Sequence, residues 1–361
     1  MLMTTQSITT TGVLDLEPLK ARPCILTDSG RSAIRAAAWG LGLREGDEVL
    51  LPAYCCGVEI TSLRACGVNT RLLPIGRDLV LDPADVRSAI GPRTRAIYVI
   101  HYFGHPQPLT ELREIADRSG LRLIEDCALA LLSCDERGIP LGMTGDAAIF
   151  SFTKFFQGIR GGAVAGELEK SPHIAAASEL GALAGRARGA LAATARRWGL
   201  LPRYAATANS GADAPPDLPM SYYTKHGAPA VAMARVHRWP LRNVDIERQR
   251  SIRRARWHAW NDLFGELAPA LRLRPGLENG AAPLFYALIV QDRPRGLEAL
   301  WPAGVPIPQW WLGAPPGIDW SNFREALALK RSVLPLPVDP SVTDDAIDQL
   351  KRLCSKLARH A

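Results

Sequence analysis

Residues 121–166 read LRLIEDCALALLSCDERGIPLGMTGDAAIFSFTKFFQGIRGGAVAG, and this stretch decides the fold. A short apolar run ends in two acids, Glu125 and Asp126. A second run, AAIFSF, leads to Lys154, and a third, GGAVAG, closes the stretch. Apolar runs of this length between turn residues mark strands buried on both faces. The pattern recurs upstream. ILTDSG leads into RSAIRAAAWGLGL, where Ala33, Ile34, Ala37 and Leu41 share one helical face. REGDE turns the chain into VLLPA, VEITSLRACG reads as helix and TRLLPI as strand. PADVRSAIG is a short helix started by Pro83 and Asp85. RAIYVIHYFG is a buried strand, and LTELREIADRSG a helix ending at Gly120. Alternation of this kind from residue 24 to 166 predicts a mostly parallel sheet covered by helices.

Past residue 166 the pattern changes to Ala- and Arg-rich helices, interrupted by a loop at NSGADAPPDLP. We expect a large domain over 1–240, with 167–235 as a variable helical covering region. A smaller C-terminal α+β domain over 241–361 would hold a long Arg/Trp-rich helix, the strand APLFYALIV and a helix from Thr343 to Leu357. A chain of 361 residues suits one large and one small domain.

Hydrophobic residues make up 47% and charged residues 22%, which fits a globular chain, and no apolar run approaches a membrane span. The N-terminus MLMTTQSITTTG lacks the basic start and apolar block of a signal peptide, so a cytoplasmic location is expected. The seven cysteines have no zinc-site or disulfide spacing, so reduced thiols and no metal are expected. The net charge of +7 gathers as arginines between Arg186 and Arg256. A solvated surface is one reading and an anionic or carrier-linked substrate the other. No DNA- or RNA-reading motif accompanies the charge, so no nucleic-acid partner is expected.

Lys154 follows a strand at SFTK, where shielding from water favours the neutral amine that condenses with an aldehyde. Ser151, three residues earlier, can meet a phosphate. A plain surface lysine is the alternative. Asp126 ends a strand at the edge where parallel sheets bind ligands, and it can pair with a pyridine nitrogen or simply cap the next helix. Gly30, Arg31 and Ser32 open a helix whose N-terminus suits a phosphate, or they form an ordinary glycine-started helix. No Walker or Rossmann glycine pattern is present, which counts against ATP and NAD.

Taken in order, SGRSAI, REGDEVLLPAYCC, TRAIYVIHYFGHPQ, LIEDCALAL, GDAAIFSFTK, GGAV and LPLPVDPSVTDDAIDQL resemble the DegT/StrS family of aminotransferases. These are pyridoxal 5'-phosphate (PLP) enzymes of fold type I that aminate keto sugars. The resemblance implies phosphate contacts from Gly30, Arg31, Ser32 and Ser151, an aldehyde-binding Lys154 and a pyridinium-pairing Asp126. It places Tyr54 or Cys56 near the ring face. Arg160 and His101 are candidates for substrate contact. Leu129 stands where a glutamine or histidine usually meets the ring hydroxyl, and Arg160 replaces the acid that commonly precedes the glycine pair. The spacing S-x-x-K is shorter than in many members. The implied activity is amino transfer from an amino acid to a carbonyl substrate, in a homodimer with shared active sites. Elimination, racemisation or bond-cleaving PLP chemistry is an alternative suggested by Leu129 and Arg160. A catalytically silent regulator is another, opposed by the retention of Lys154 and Asp126.

Overall fold

The computed structural model describes residues 14–197, 229–305, 307, 310, 311, 313–315 and 317–358. The expected N-terminal reading and the NSGADAPPDLP loop lie outside the described residues. Helix α1 (Glu17–Lys20) leads into β1 (Cys24–Thr27), α2 (Gly30–Gly40), β2 (Glu48–Pro52), α3 (Val58–Arg64) and β3 (Asn69–Leu73). Next come α4 (Pro83–Ala89), β4 (Thr94–Ile100), α5 (Leu109–Ser119), β5 (Arg122–Asp126), β6 (Ala147–Ser151), α6 (Phe152–Phe155) and β7 (Gly162–Gly166). These seven strands form one sheet in the order β1-β7-β6-β5-β4-β2-β3. Only β7 opposes its neighbours, pairing antiparallel with both β1 and β6. The rest run parallel, so the ends of β1, β2, β4, β5 and β6 emerge on one edge.

The apolar runs of β6 and β7 are buried along their whole length because helices cover both faces. Ala33, Ile34, Ala37 and Leu41 are buried as the helical periodicity requires, α5 ends on left-handed Gly120, and Asp82 caps α4. Gly162 pairs with Thr27 on one side and Ser151 on the other. A Cβ there would lie 2.4 Å from the Phe150 carbonyl oxygen and 3.0 Å from the Gly30 nitrogen. Only glycine lets β7 pass this close to the start of α2.

The chain continues through β8 (Ile174–Ala175), α7 (Glu179–Arg197), β9 (Ala230–Val231), α8 (Arg235–Leu241) and α9 (Ile246–Leu267). Then follow β10 (Phe285–Ile289), α10 (Arg293–Leu300), α11 (Arg324–Ser332), β11 (Val333–Pro337) and α12 (Asp344–Ala358). Strands β10 and β11 pair antiparallel as a separate two-stranded sheet. There are two apolar cores. The larger surrounds the main sheet and takes in Trp310, Trp311, Ala326 and Leu329. The smaller joins Trp257, Trp260, Phe264, Tyr286, Leu334 and Leu350. No helix among the described residues is long and apolar enough to cross a membrane.

Some arginines of the basic stretch bind the protein's own carbonyls and carboxylates, whereas Arg186, Arg188, Arg235, Arg242 and Arg248 are exposed. Arg253 is fully buried and donates to Asp339 (2.5 Å) and the Phe155 carbonyl (2.9 Å). Arg254 serves the carbonyls of Glu278 and Ala281, and Arg250 that of Leu132. Buried guanidinium groups of this kind bind carbonyls and carboxylates to satisfy their own donors.

Candidate active site

The site lies at the sheet edge where the parallel strands end, the usual place for a ligand in an open α/β sheet. Two elements form a cradle for an anion. Ser29 caps α2 by accepting from the Ser32 amide (3.3 Å), which leaves the Gly30 amide without an intrahelical acceptor at the positive end of the helix. Ser151, at the end of β6, stands beside it, since a Cβ on Gly30 would lie 3.8 Å from Ser151 Cβ. The Ser151 hydroxyl does not cap the short helix that follows it. Arg31 is half-buried in the same first turn of α2.

Asp126, only 4% exposed, ends β5. Tyr98 donates to one carboxylate oxygen at 2.6 Å and the Ala128 amide to the other at 2.8 Å. Each oxygen keeps a lone pair for a further donor. Lys154 follows β6 on α6, half-buried, with Nζ 5.6 Å from the Trp310 ring centroid.

Between these groups runs the loop from β2 to α3. Tyr54 is fully buried and stacks on Tyr102 at 5.5 Å, and its carbonyl accepts from the Tyr102 hydroxyl (2.6 Å). The Tyr54 hydroxyl is buried without a partner, and burial pushes it well above the usual phenol range against the opposing charge of Arg293. The Cys56 thiol donates to both oxygens of Glu59, and burial followed by the Glu59 charge holds it protonated.

Two expected contacts, those of Ser32 and His101, are corrected by the geometry. The Ser32 hydroxyl is spent on Asp28 (2.6 Å) and accepts from the Val231 amide (3.2 Å), so it faces away from the cradle. His101 is fully buried, with Nε2 on Glu125 (3.2 Å) and Nδ1 accepting from the Gln107 amide (3.1 Å), which leaves no ring nitrogen for a substrate. Arg160 is exposed and reaches α7, where a Cβ on Gly185 would lie 4.0 Å from its Nη1. Leu129 is 1% exposed and belongs to the larger core.

His101, Glu125 and Cys127 are close enough to hold a cation. Glu125, however, already accepts from the amides of Gly142, Thr144 and Gly145. Burial works to raise this carboxyl, but the His101 bond and those amides outweigh it and hold it below the usual range. Its role is to pin the loop before β6.

Sequence reasoning missed the opposite wall. Trp310 and Trp311 stack at 5.4 Å, and Trp311 lies 4.9 Å from Tyr54 with a left-handed φ of 46°. Two buried cations hold their turn. Arg293 donates to the Trp310 carbonyl (2.8 Å), and Lys330 to the carbonyls of Gly313 (2.8 Å) and Cys55. Burial drives Lys330 below the usual lysine range. The tryptophan pair in PQWWLG was the one local signal, because large apolar side chains in a Pro/Gly-rich loop need a place to bury.

The residues present fit PLP: an amide and a hydroxyl for phosphate, a carboxylate with free lone pairs for the pyridinium and an amine for the aldehyde. The fold is that of a fold-type-I PLP-dependent transferase. Residues 17–189 match the family model described as DegT/DnrJ/EryC1/StrS aminotransferase family. The chain is 41% identical over 130 residues to the erythromycin biosynthesis sensory transduction protein EryC1 of Saccharopolyspora erythraea, covering 36% of this chain and 35% of that protein. It is 39% identical over 126 residues to dTDP-3-amino-3,4,6-trideoxy-alpha-D-glucose transaminase of Streptomyces venezuelae, covering 35% and 33%. The matches thus span about a third of the length of these curated relatives. The solved structure of DesV from S. venezuelae has the same fold, with a TM-score of 0.66 at 23% identity over 94% of this chain and 85% of that one.

Proposed function

We propose that this protein is a PLP-dependent aminotransferase that moves an amino group from an amino acid to a carbonyl substrate of the keto-sugar type. The observation that carries the reading is the convergence of the Gly30 amide, Ser151, Asp126 and Lys154 at one sheet edge. The transaminase of S. venezuelae supports a keto-sugar substrate. When bound, the cofactor supplies an electron-withdrawing ring that stabilises charge developing on a substrate carbon. Asp126 would accept the ring-nitrogen proton while Tyr98 and the Ala128 amide orient it. The α2 N-terminus and Ser151 would hold phosphate, and Lys154 would hold the aldehyde carbon and move protons at Nζ. Trp310 and Trp311 would exclude water above Lys154.

The same reading includes a homodimer in the cytoplasm and a domain boundary near residue 240, the latter supported by the smaller core, whose members all follow that point. Buried Leu129 favours a second reading, PLP chemistry other than amino transfer, because it offers no polar contact. Borohydride reduction of the cofactor-loaded protein followed by peptide mapping tests the site. The label is expected on Lys154 and absent from Lys154→Ala, whose melting temperature stays unchanged. A labelled lysine elsewhere overturns the assignment. A visible spectrum that responds to amino donors, with product formed from a keto sugar, separates the two readings.

A further inference from the structure

His105 and Gln107 of the motif HYFGHPQ have no part in the site described above, yet they brace both walls of a cavity that shares none of its residues. Gln107, 5% exposed, donates to the Leu79 carbonyl (2.7 Å) and accepts from the Leu81 amide (2.8 Å). Leu79 is fully buried with a left-handed φ of 60°. A bulky residue rarely adopts that conformation, which persists only where the surroundings hold it. The strained turn brings its neighbours Asp78 and Val80 to a cavity of about 450 Å³, the size of an ordinary small-ligand pocket. The opposite wall is the segment from Leu273 to Glu278. His105 Nδ1 lies 2.6 Å from one carboxylate oxygen of Glu278, and Arg274 Nη2 donates to the other at 2.7 Å.

The groups left over define what the cavity can hold. Arg274 Nη1 is buried with no hydrogen-bond partner among the described residues, a donor that is costly to leave unmet. Asp78 spends one carboxylate oxygen on the Val80 amide (3.1 Å) and has no ion pair among the described residues. Val80, Leu273 and Leu277 add apolar surface. We infer that this cavity is a binding site for an α-amino acid with an apolar side chain, its carboxylate on Arg274, its ammonium on Asp78 and its side chain on Val80, Leu273 and Leu277. A guanidinium suits a carboxylate, and a carboxylate suits a primary ammonium. Glu278 is held by His105 and serves to fix Arg274 rather than to meet the ligand. None of these residues belongs to the cofactor arrangement, so the inference stands apart from the proposed function.

The test is calorimetric titration of the full chain with L-leucine, before and after loading with PLP. Saturable binding with a Kd on the order of 1 mM or tighter is expected in both forms and in Lys154→Ala. Asp78→Asn and Arg274→Gln should each weaken it about tenfold or more, with melting temperatures read alongside. Three probes each depart from leucine in one feature: 4-methylpentanoate lacks the ammonium, isoamylamine lacks the carboxylate and L-glutamate carries a charged side chain. Each should bind about tenfold more weakly than leucine. No saturable binding of leucine, or any probe binding as tightly, overturns the inference. If Arg274→Gln fails to fold through loss of the Glu278 pair, Asp78→Asn decides alone, because its side chain holds only one exposed turn amide. A folded Asp78→Asn that binds leucine as the parent does overturns the site. Binding lost only in Lys154→Ala moves the amino acid to the sheet edge and overturns it as well.

Discussion

The two walls of the site are built differently. On the sheet wall Asp126, Ser151 and Lys154 stand at strand ends or within three residues of one, and the hydrogen-bond ladder fixes where they point. On the facing wall Arg293, Trp310, Trp311 and Lys330 come from three separate segments, held by two buried cations on backbone carbonyls. The sheet wall gives fixed positions for chemistry. The facing wall gives a shape, and it can change without disturbing the ladder.

The largest effect expected from this contrast is on the sheet wall. Asp126→Asn keeps the size and both neighbours but removes the charge that would hold a protonated ring nitrogen. Turnover should fall on the order of 100-fold or more, while bound cofactor, read by absorbance, falls only a few-fold. An unchanged rate would make Asp126 a structural cap and remove the chemistry from this wall.

A smaller and different effect is expected on the facing wall. Lys330→Met fills the same space but leaves the carbonyls of Cys55 and Gly313 without their buried donor, at a cost of about 1–3 kcal/mol. Because the turn it holds would shape binding rather than chemistry, KM should rise several-fold with kcat little changed. Thermal melting and steady-state rates on one preparation check both parts. A fall in kcat to match Asp126→Asn would abolish the distinction between the walls.

The same difference explains what could be read from the sequence. Strand-end motifs carry their own context, so the apolar run before Asp126 and the one before Lys154 already imply an edge, and the structure brings both to it. Glu59 carries no such mark. In VEITSLRACG it reads as one polar position on a helix, yet it is buried with its carboxylate on the Cys56 thiol. Lys330 looks like an exposed helix residue beside Arg331, and Arg293 like a helix start, until a distant loop offers carbonyls to both. His101 and Ser32 mislead in the reverse direction. Their types suit a site, but neighbouring polar groups take all their capacity.

The smallest expected effect concerns Leu129, the point where the sheet wall departs from the family pattern. The side chain is packed in the core, so Leu129→Gln buries an amide and should cost about 1–3 kcal/mol unless that amide finds a partner. The cofactor's ring oxygen is the partner the resemblance suggests. A donor there favours the charged phenolate and moves the spectral midpoint toward lower pH, by about half a unit. Visible titrations of the two proteins decide the matter. No shift would leave Leu129 as a packing residue whose apolar character has no bearing on the ring.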